Sequence, residues 1–374
     1  MKKVASIVLN NFKNDSRVLK ESISLQNAGY GVKVVALWED GVDEFERVSG
    51  IDVHRVKLIS KNWSKNIFVQ IIKYLEFVYR VSSRYRDIDI AHCNDLDALL
   101  VGVLIKKFYN RDVKIVYDAH EHESYRAGYG KLLQRLSRWW ESRLIGYADV
   151  VITVSPSIAD EYVLMYGIKR PALVLNAPEY KEVEKRDIFR EKFGISKECK
   201  IFLYQGGLSP KRGILEFARY IDGRENLAYV IMGYGVLEDE IKEFAKSSEN
   251  VFFHEAVPPD VLLEYTSSAD IGICIEEPIC RSWDYALANK LFEYLMVGLD
   301  VVVGGVSEMK RFVKEHQVGF VIEDINSKDS FEELFEMIQT QEYDFSSAIT
   351  KVQKEYNWQE QERVLLSCYD KILE

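Results

Sequence analysis

The sequence predicts an α/β protein of two doubly wound domains, each built on a largely parallel sheet. Runs of β-branched residues alternate with helical patterns in both halves of the chain, and parallel neighbouring strands need a crossover helix between them. The length of 374 residues exceeds one ordinary core and suits two domains of roughly 150–200 residues each. A charged segment without a strand signal, residues 179–196, separates the two series of strands.

Six strands are expected on each side of this connection. We therefore place an N-terminal domain at residues 1–178 and a C-terminal domain at residues 197–350. The predicted strands are Val4–Leu9, Val32–Ala36, Ile88–His92, Val113–Tyr117, Val150–Val154 and Ala172–Leu175, followed by Ile201–Tyr204, Leu227–Met232, Asn250–Phe253, Ile271–Ile275, Val301–Val303 and Gly319–Ile322.

Helical patterns lie between these strands and at the end of the chain. Two of the clearest are Arg17–Ala28 and Leu132–Ile145. In the last segment, residues 351–374, an apolar stripe has helical spacing, and such a stripe needs a surface to pack against. We expect this helix to cross back to the N-terminal domain. The stripe consists of Trp358, Leu365, Tyr369 and Ile372.

Composition excludes several classes of protein. With 47% hydrophobic and 29% charged residues, the chain is not of the disordered type. Its longest apolar run, Ala98–Ile105, is far shorter than the roughly 18–20 residues that span a bilayer. The apolar start ends at Asn10, too early for a signal peptide. Five scattered cysteines without C-x-x-C spacing indicate neither a disulfide framework nor a zinc site. We expect a cytoplasmic protein.

The net charge of −10 hides an uneven distribution. Residues 1–178 carry more basic than acidic side chains, concentrated in the aromatic-rich stretches Lys61–Arg86 and Lys131–Arg143. A basic helix with a bulky apolar face can bind an anionic membrane surface, so peripheral attachment to the cytoplasmic membrane is one interpretation. The alternative is that the apolar face packs on the domain core. No nucleic-acid partner is expected, because the chain is acidic and lacks a recognisable binding module.

In open α/β sheets ligands bind beyond the carboxyl ends of strands, so the loops that follow strands are candidate sites. The first, Asn11–Arg17, lacks the glycine pattern of a dinucleotide site. It either contacts a ligand or serves the next helix, with Asp15 as N-cap. The same two interpretations hold for Asp95. The cluster from Asp118 to Glu123 places His120 among acids that can orient it for hydrogen bonding or proton transfer, or it merely begins a helix. Its spacing does not indicate a metal site.

Two loops of the C-terminal half are suited to an anion. In the first, residues 205–213, two glycines precede Lys211 and Arg212 at the start of a helix, a combination that suits a phosphate. In the second, a helix beginning near Asn289 carries Lys290 in its first turn and Glu293 on the same face. A lysine there opposes the helix dipole unless it serves a bound anion, although a simple surface Lys–Glu pair remains the alternative.

Nine segments, taken in order, resemble the GT-B glycosyltransferases of family 4 over essentially the whole chain. Several of these segments are loose matches individually, but their order and spacing together are highly specific. The segments are NDSRVLKE (14–21), AGYGVKVVA (28–36), IAHCNDLDALLVG (90–102), KIVYDAHEHE (114–123), ADVVITVSPSIAD (148–160), YQGGLSPKRG (204–213), VIMGYG (230–235), ADIGICIEE (269–277) and NKLFEYLMVGLDVVV (289–303).

The resemblance implies two Rossmann-like domains facing a cleft and a retaining, metal-independent transfer of a hexosyl-type group. The donor would be a UDP- or GDP-linked sugar, with no further cofactor, and the acceptor a glycan or polyprenyl-linked molecule in cell-surface polysaccharide synthesis. It makes His120 the catalytic residue. The implied donor-binding residues are Gly207, Arg212, Gly233, Val257, Tyr285, Asn289, Lys290 and Glu293, and those near acceptor or sugar are Asn11, Asn14, Asp15, Arg17, Asp95 and Glu121.

Two positions depart from the family pattern. Tyr285 stands where the first acid of the E-x7-E element is expected, and Gly206 or Gly207 replaces a frequent arginine. Two other functions are weighed beside glycosyl transfer. One is a nucleotide-sugar epimerase or hydrolase of the same fold, and the other is a catalytically inactive donor-binding subunit.

Overall fold

The computed structural model describes residues 1–13, 15–340 and 343–374. The chain forms two compact units, one of residues 1–174 together with 361–374 and the other of residues 175–360. The first unit thus ends four residues before the predicted boundary at 178. The C-terminal segment that joins it begins at Gln361, later than the expected residue 351.

The elements alternate as the sequence predicts. The strands are β1 Lys3–Ile7, β2 Gly31–Leu37, β3 Phe45–Val48, β4 Ile51–Val56, β5 Ile90–Asn94, β6 Lys114–Ala119, β7 Val150–Thr153, β8 Ala172–Leu173, β9 Lys200–Gly207, β10 Leu227–Tyr234, β11 Val251–Glu255, β12 Ile271–Cys274, β13 Asp300–Gly304 and β14 Gly319–Ile322. The helices are α1 Ser16–Asn27, α2 Ile67–Arg84, α3 Asp95–Leu104, α4 Lys131–Leu144, α5 Pro156–Tyr166, α6 Ile188–Phe193, α7 Ile214–Ile221, α8 Glu238–Ser247, α9 Leu262–Thr266, α10 Arg281–Asp284, α11 Asn289–Met296, α12 Ser307–His316, α13 Lys328–Thr340, α14 Ser346–Glu355 and α15 Trp358–Leu373.

The N-terminal sheet has the strand order β3-β4-β2-β1-β5-β6-β7-β8. Every neighbouring pair is parallel except β3 and β4, which form an antiparallel hairpin. This hairpin was not predicted. Its two-residue turn is Ser49-Gly50, and both residues have positive φ, the backbone that lets such a turn follow the twist of the strands. The short β3 at the sheet edge is mostly exposed, and its two charged residues stand side by side, so it lacks the alternating pattern of a strand.

The C-terminal sheet is entirely parallel, in the order β11-β10-β9-β12-β13-β14. Numbered from its first strand, this is the 3-2-1-4-5-6 order of a Rossmann-like domain. The order reverses between β9 and β12, and ligands of such sheets bind beyond the carboxyl ends at that point. The prediction of two doubly wound α/β domains is therefore confirmed.

The C-terminal helix α15 buries the apolar stripe predicted for it. Trp358, Leu365, Tyr369 and Ile372 are all buried. Residues from Gln361 onward belong to the N-terminal unit. There the Tyr369 ring meets Tyr30 edge-on at a centroid distance of 5.2 Å. The helix thereby links the last residues of the chain to the unit with which the chain begins.

Candidate active site

Glycines bring the backbones of β9 and β10 together at the carboxyl end of the C-terminal sheet. A Cβ on Gly233 would lie 1.9 Å from the carbonyl oxygen of Gly206, so the strands approach here only because Gly233 has no side chain. Gly206 itself has a φ of 124°. A Cβ on Gly207 would meet nothing within 4 Å. The last residues of β9 therefore expose backbone beside open space.

Gly213 fixes the position of the arginine that precedes it. It is the N-cap of α7, with a φ of 68°. A Cβ there would lie 2.5 Å from the carbonyl oxygen of Ile275, just after β12. This close approach sets Arg212 beside the end of β12, at the point where the strand order reverses.

Arg212 and Lys290 converge on one carboxylate oxygen. Nη1 of Arg212 and Nζ of Lys290 each lie 2.7 Å from Oε1 of Glu276, so the two nitrogens are at most twice that distance apart. The Arg212 guanidinium also lies over the Trp283 ring, 4.6 Å from its centroid. Nζ of Lys290 lies 4.0 Å from the ring centroid of Tyr204. The cations predicted to face a diphosphate are thus neighbours, held by a shared acid and two aromatic rings.

This cluster is charged although much of it is buried. The Lys290 side chain is 9% exposed and that of Glu276 6%. Burial opposes charge on the lysine, but the carboxylate of Glu276 outweighs it and raises the pKa of Lys290. Burial would likewise raise the pKa of Glu276, but Lys290 and Arg212 hold that pKa below its ordinary value. All three groups are ionised at neutral pH, and together they carry one net positive charge.

The helix α11 begins at Asn289, as predicted, and places Lys290 in its first turn. Lysine is unfavourable at the positive end of a helix, and Glu276 compensates for it. The surface-pair interpretation does not describe this arrangement, because Lys290 is buried. On the same helix, Glu293 accepts a hydrogen bond from Nε2 of Gln205 at 2.6 Å. Gln205 in turn accepts one from Thr266 at 2.7 Å.

The remaining predicted donor-binding residues also belong to the C-terminal unit. Asn289 is exposed, whereas Tyr285 and Val257 are half-buried. Tyr285 follows directly after α10, and Val257 follows β11 and packs against the core. Sequence reasoning assigned no role to Glu276 or Gln205. Gln205 lies two residues before the end of β9, and Glu276 follows β12 by two residues. Their position at the carboxyl ends of strands was the available signal.

In the N-terminal unit, His120 follows β6 and is held by two acids. Its Nε2 lies 3.0 Å from Oδ2 of Asp118, and its backbone N–H donates to Oδ1 of Asp95 at 3.1 Å. Nδ1 lies 3.7 Å from the same Asp95 oxygen. Burial opposes protonation, but Asp95 and Asp118 outweigh it and raise the pKa of His120 to about 9. The imidazole is therefore a cation at neutral pH, and its Nε2–H donates to Asp118.

Arg17 lies in the interior beneath this histidine. Its Nε and Nη2 donate to the two oxygens of Asp118 at 2.9 and 2.7 Å, and Nη1 donates to the carbonyl of Val174 at 2.8 Å. Burial would raise the pKa of Asp118, but Arg17 and His120 hold it well below its ordinary value. Arg17 therefore lies buried behind His120 and not at a solvent-facing surface. Its guanidinium pairs with both carboxylate oxygens of Asp118.

The loop before α1 is ordered by its own polar side chains. Asp15 is the N-cap of α1 and accepts from the backbone N–H of Val18 at 3.1 Å, the capping arrangement weighed for it above. Nδ2 of Asn11 donates to Glu39 at 2.8 Å. Asn14, predicted to lie near the acceptor, falls outside the described residues.

Asp95 and Glu121 meet at Arg126. Its guanidinium lies 3.6 Å from Asp95 and 2.9 Å from Glu121, and it also pairs with the buried Glu123 at 2.8 Å. Asp95 has a φ of 64°, a strained backbone for a residue with a side chain and one often found at functional positions. Asp95, Glu121 and His120 thus lie together at the carboxyl ends of β5 and β6.

One group among the described residues has oxygen and nitrogen atoms close enough for a metal ion. It consists of the buried Glu21, His92 and Asp118. Arg17 already lies 2.7 Å from Asp118 and 3.1 Å from Glu21. Burial opposes protonation of His92, but the same two acids raise its pKa to about 9. Two side-chain cations therefore balance these acids, so the group fits an ion-pair network better than a metal site.

Comparisons with known proteins match both units. The family model described as Glycosyltransferase Family 4 matches residues 17–176. The model described as glycosyl transferases group 1 matches residues 185–354. The chain is a GT-B glycosyltransferase of family 4. No curated protein matches its sequence significantly.

Solved structures share the fold of this glycosyltransferase over its full length. Sucrose-phosphate synthase from Thermosynechococcus elongatus matches with 14% identity and a TM-score of 0.79, covering 100% of this chain and 99% of the other. Anabaena Alr3699/HepE in complex with UDP-glucose matches with 14% identity and a TM-score of 0.73, covering 99% and 100%. WaaG, a glycosyltransferase involved in lipopolysaccharide biosynthesis, matches with 16% identity and a TM-score of 0.66, covering 99% of each chain.

The glycosyltransferase presents apolar side chains on the outer faces of α2 and α4. On α4, Leu132, Leu133, Leu136 and Trp139 are between 52 and 70% exposed. The opposite face carries the fully buried Glu141, which accepts hydrogen bonds from Tyr117, Tyr166 and Ser124 at 2.7 to 2.8 Å. A surface helix usually has the reverse pattern, with its apolar face inward.

Helix α2 also exposes apolar side chains. Its residues Phe68, Ile71, Ile72, Leu75 and Tyr79 are exposed at helical spacing, although another side of the helix is buried. A groove of about 440 Å³ lies between α2 and α3 and is lined almost entirely by apolar side chains. Within the described part of the chain, no helix has the length and apolar character needed to cross a membrane.

Proposed function

We propose that this glycosyltransferase moves a hexosyl-type group from a UDP- or GDP-linked sugar to a glycan or lipid-linked acceptor, with retention at the anomeric carbon. The observation that carries the proposal is the convergence of Arg212 and Lys290 on Glu276 at the carboxyl edge of the C-terminal sheet. The structure of HepE in complex with UDP-glucose supports this choice of donor class, because that protein has the same fold.

The chemistry follows from the charge of the leaving group. Breaking the bond between sugar and diphosphate leaves an additional negative charge on the diphosphate oxygen. Arg212 and Lys290 are fixed in place before the reaction, and preorganised cations stabilise charge that develops in the transition state. Backbone N–H groups at Gly206 and Gly207 and the start of α7 add further donors. We therefore propose that side-chain cations serve the diphosphate without a metal ion.

The other donor contacts are proposed on the same unit. Glu293, oriented by Gln205, binds the ribose hydroxyls. The backbone at Gly207 and Gly233 gives the nucleotide a close approach to the sheet edge. Asn289, Tyr285 and Val257 complete this surface, and Tyr285 offers a phenol where the first acid of the E-x7-E element is expected.

We propose His120 as the catalytic residue of the N-terminal unit. A cationic imidazole held by Asp118 and Asp95 donates hydrogen bonds to a sugar or phosphate oxygen better than a neutral ring. Asn11, Asn14, Asp95 and Glu121 are proposed to lie near the acceptor or the sugar. For Arg17 and Asp15 we propose positioning, because Arg17 holds Asp118 and Asp15 caps α1.

The outer faces of α2 and α4 support peripheral attachment to the cytoplasmic membrane face. Leucine and tryptophan on α4 are accompanied by Lys131, Arg135, Arg138 and Arg143, a composition that favours an interface with anionic headgroups. An acceptor carried on a lipid would be reached at such a surface. WaaG acts in lipopolysaccharide biosynthesis, which supports a role in making a cell-surface polysaccharide.

A panel of nucleotide sugars tests this function. The full chain is incubated with UDP- and GDP-linked hexoses, and both the thermal unfolding midpoint and slow hydrolysis of each donor are measured. One donor is expected to raise the midpoint and to be hydrolysed slowly with the α-configured sugar retained. His120→Ala is expected to keep the shift in midpoint and lose hydrolysis. A shift without hydrolysis in the wild type would instead favour an inactive donor-binding subunit.

A further inference from the structure

Glu276 lies at the centre of the proposed diphosphate site but is itself an anion. Its Oε1 accepts from both Arg212 and Lys290 at 2.7 Å. The backbone around it is tightly packed, since a Cβ on Gly305 would lie 2.0 Å from the carbonyl oxygen of Glu276. The carboxylate is therefore a fixed part of the site rather than a side chain that happens to reach it.

The adjacent acid provides a contrast within the same loop. Glu277 pairs with Lys211 at 2.8 Å, and both side chains are substantially exposed. An exposed pair of this kind contributes little energy. Two consecutive glutamates thus each pair with a consecutive basic residue, but only Glu276 contacts the cations proposed to bind the donor.

We propose that Glu276 is the resident counter-ion of the diphosphate site and limits how tightly the site holds the nucleoside diphosphate after transfer. Before the donor binds, it keeps two partly buried cations paired and in position, since a buried charge without a partner is costly. After transfer, its negative charge repels the diphosphate across a short distance. The inference rests on the proposed function, because it assumes that Arg212 and Lys290 bind a diphosphate.

This arrangement is suited to turnover. Without Glu276, Arg212 and Lys290 would present two positive charges to the product, and with it they present one. Product release limits the rate of many enzymes. A site that is partly neutralised in its resting state gives up some affinity for the product and releases it faster.

Calorimetric titration with UDP and with GDP tests the inference on the full chain. The variants are the wild type, Glu276→Gln and, as the matched control, Glu277→Gln. Glu276→Gln keeps the shape and one acceptor oxygen but removes the charge. It is expected to bind the preferred nucleotide about tenfold more tightly and to release it more slowly in stopped-flow displacement. Glu277→Gln is expected to remain within about twofold of the wild type.

A second pair of variants covers the case in which Glu276→Gln does not fold because it leaves two cations without their carboxylate. Arg212→Gln is compared with the double variant Arg212→Gln with Glu276→Gln, which restores the net charge of the wild-type cluster. The double variant is expected to bind the nucleotide about tenfold more tightly than Arg212→Gln alone. Equal or weaker binding after removal of the carboxylate, in either background, overturns the inference. A wild type that binds neither nucleotide removes the proposed function and this inference together.

Discussion

The hydroxyl of Tyr369, five residues from the end of the chain, lies 2.7 Å from Nδ1 of His92 on β5. His92 is protonated at neutral pH and donates this hydrogen bond. Its Nε2 faces Glu21 at 3.3 Å, and Glu21 pairs with Arg17. The C-terminal helix thus completes the buried network that ends at Asp118 and His120.

Removing this hydroxyl is expected to destabilise the N-terminal unit. Tyr369→Phe deletes a buried hydrogen bond and should lower the free energy of unfolding by about 1 kcal/mol. Urea denaturation, followed by circular dichroism, measures the change. Tyr79→Phe is the matched control, because that tyrosine is exposed on α2. An equal effect of both variants would show that the contact with His92 contributes nothing.

Two histidines with raised pKa values, His92 and His120, predict how stability depends on pH. His92 and His120 each have a pKa raised from 6.5 to about 9. Between these values the folded chain binds more protons than the unfolded chain, so the free energy of unfolding should fall as pH rises from about 6.5 to 9. Denaturant titrations at several pH values measure this slope. His92→Gln should flatten it, and a slope that is unchanged or rises with pH would contradict the assignment.

Gly233 should tolerate no side chain. Gly233→Ala places a Cβ 1.9 Å from the Gly206 carbonyl oxygen, so β9 and β10 must move apart at the edge that carries the proposed diphosphate site. We expect nucleotide binding to weaken at least tenfold and the free energy of unfolding to fall by about 1–3 kcal/mol. Gly207→Ala is the control for stability, since its Cβ meets open space. If Gly233→Ala bound the nucleotide as tightly as the wild type, Gly233 would not be part of the donor site.

Charge on the outer face of α4 should abolish membrane binding. Replacing Leu136 and Trp139 by Glu places two anions among exposed apolar and basic side chains. Sedimentation with vesicles containing phosphatidylglycerol, at low and high salt, measures the effect. The wild type is expected to pellet, more so at low salt, and the double variant to stay in solution. Leu164→Glu is the control, because Leu164 is 85% exposed on α5. Failure of the wild type to pellet at any salt concentration would refute membrane attachment.

Patterns local in sequence predicted most of the fold. All twelve predicted strands overlap observed strands, because each is a run that is visible in a few neighbouring residues. Helix α11 also begins at Asn289, as predicted. The hairpin of β3 and β4 was missed because its signal is only a Ser-Gly turn beside a short, exposed edge strand without alternating apolar residues. The division between the units at residue 174 depends on packing, which no local pattern records.

The side-chain partners of the site could not be predicted in the same way. Arg17 pairs with Asp118 across 101 positions, and Arg212 with Glu276 across 64. Such pairs depend on which loops the sheet order brings together. For the same reason Arg17 was expected at the acceptor, whereas the structure buries it behind His120. The basic residues of α4 were recognised in the sequence. The outward orientation of its apolar side is visible only in the structure, where Glu141 lies on the buried side of the helix.

Nucleoside diphosphate binding by Lys290→Ala tests the central claim most directly. Calorimetry on the full chain compares the wild type, Lys290→Ala and Lys211→Ala, whose lysine is exposed and pairs with Glu277. If Arg212 and Lys290 hold the diphosphate, Lys290→Ala weakens binding of UDP or GDP at least tenfold, while Lys211→Ala changes it by about twofold or less. Equal affinity of the wild type and Lys290→Ala would contradict the account.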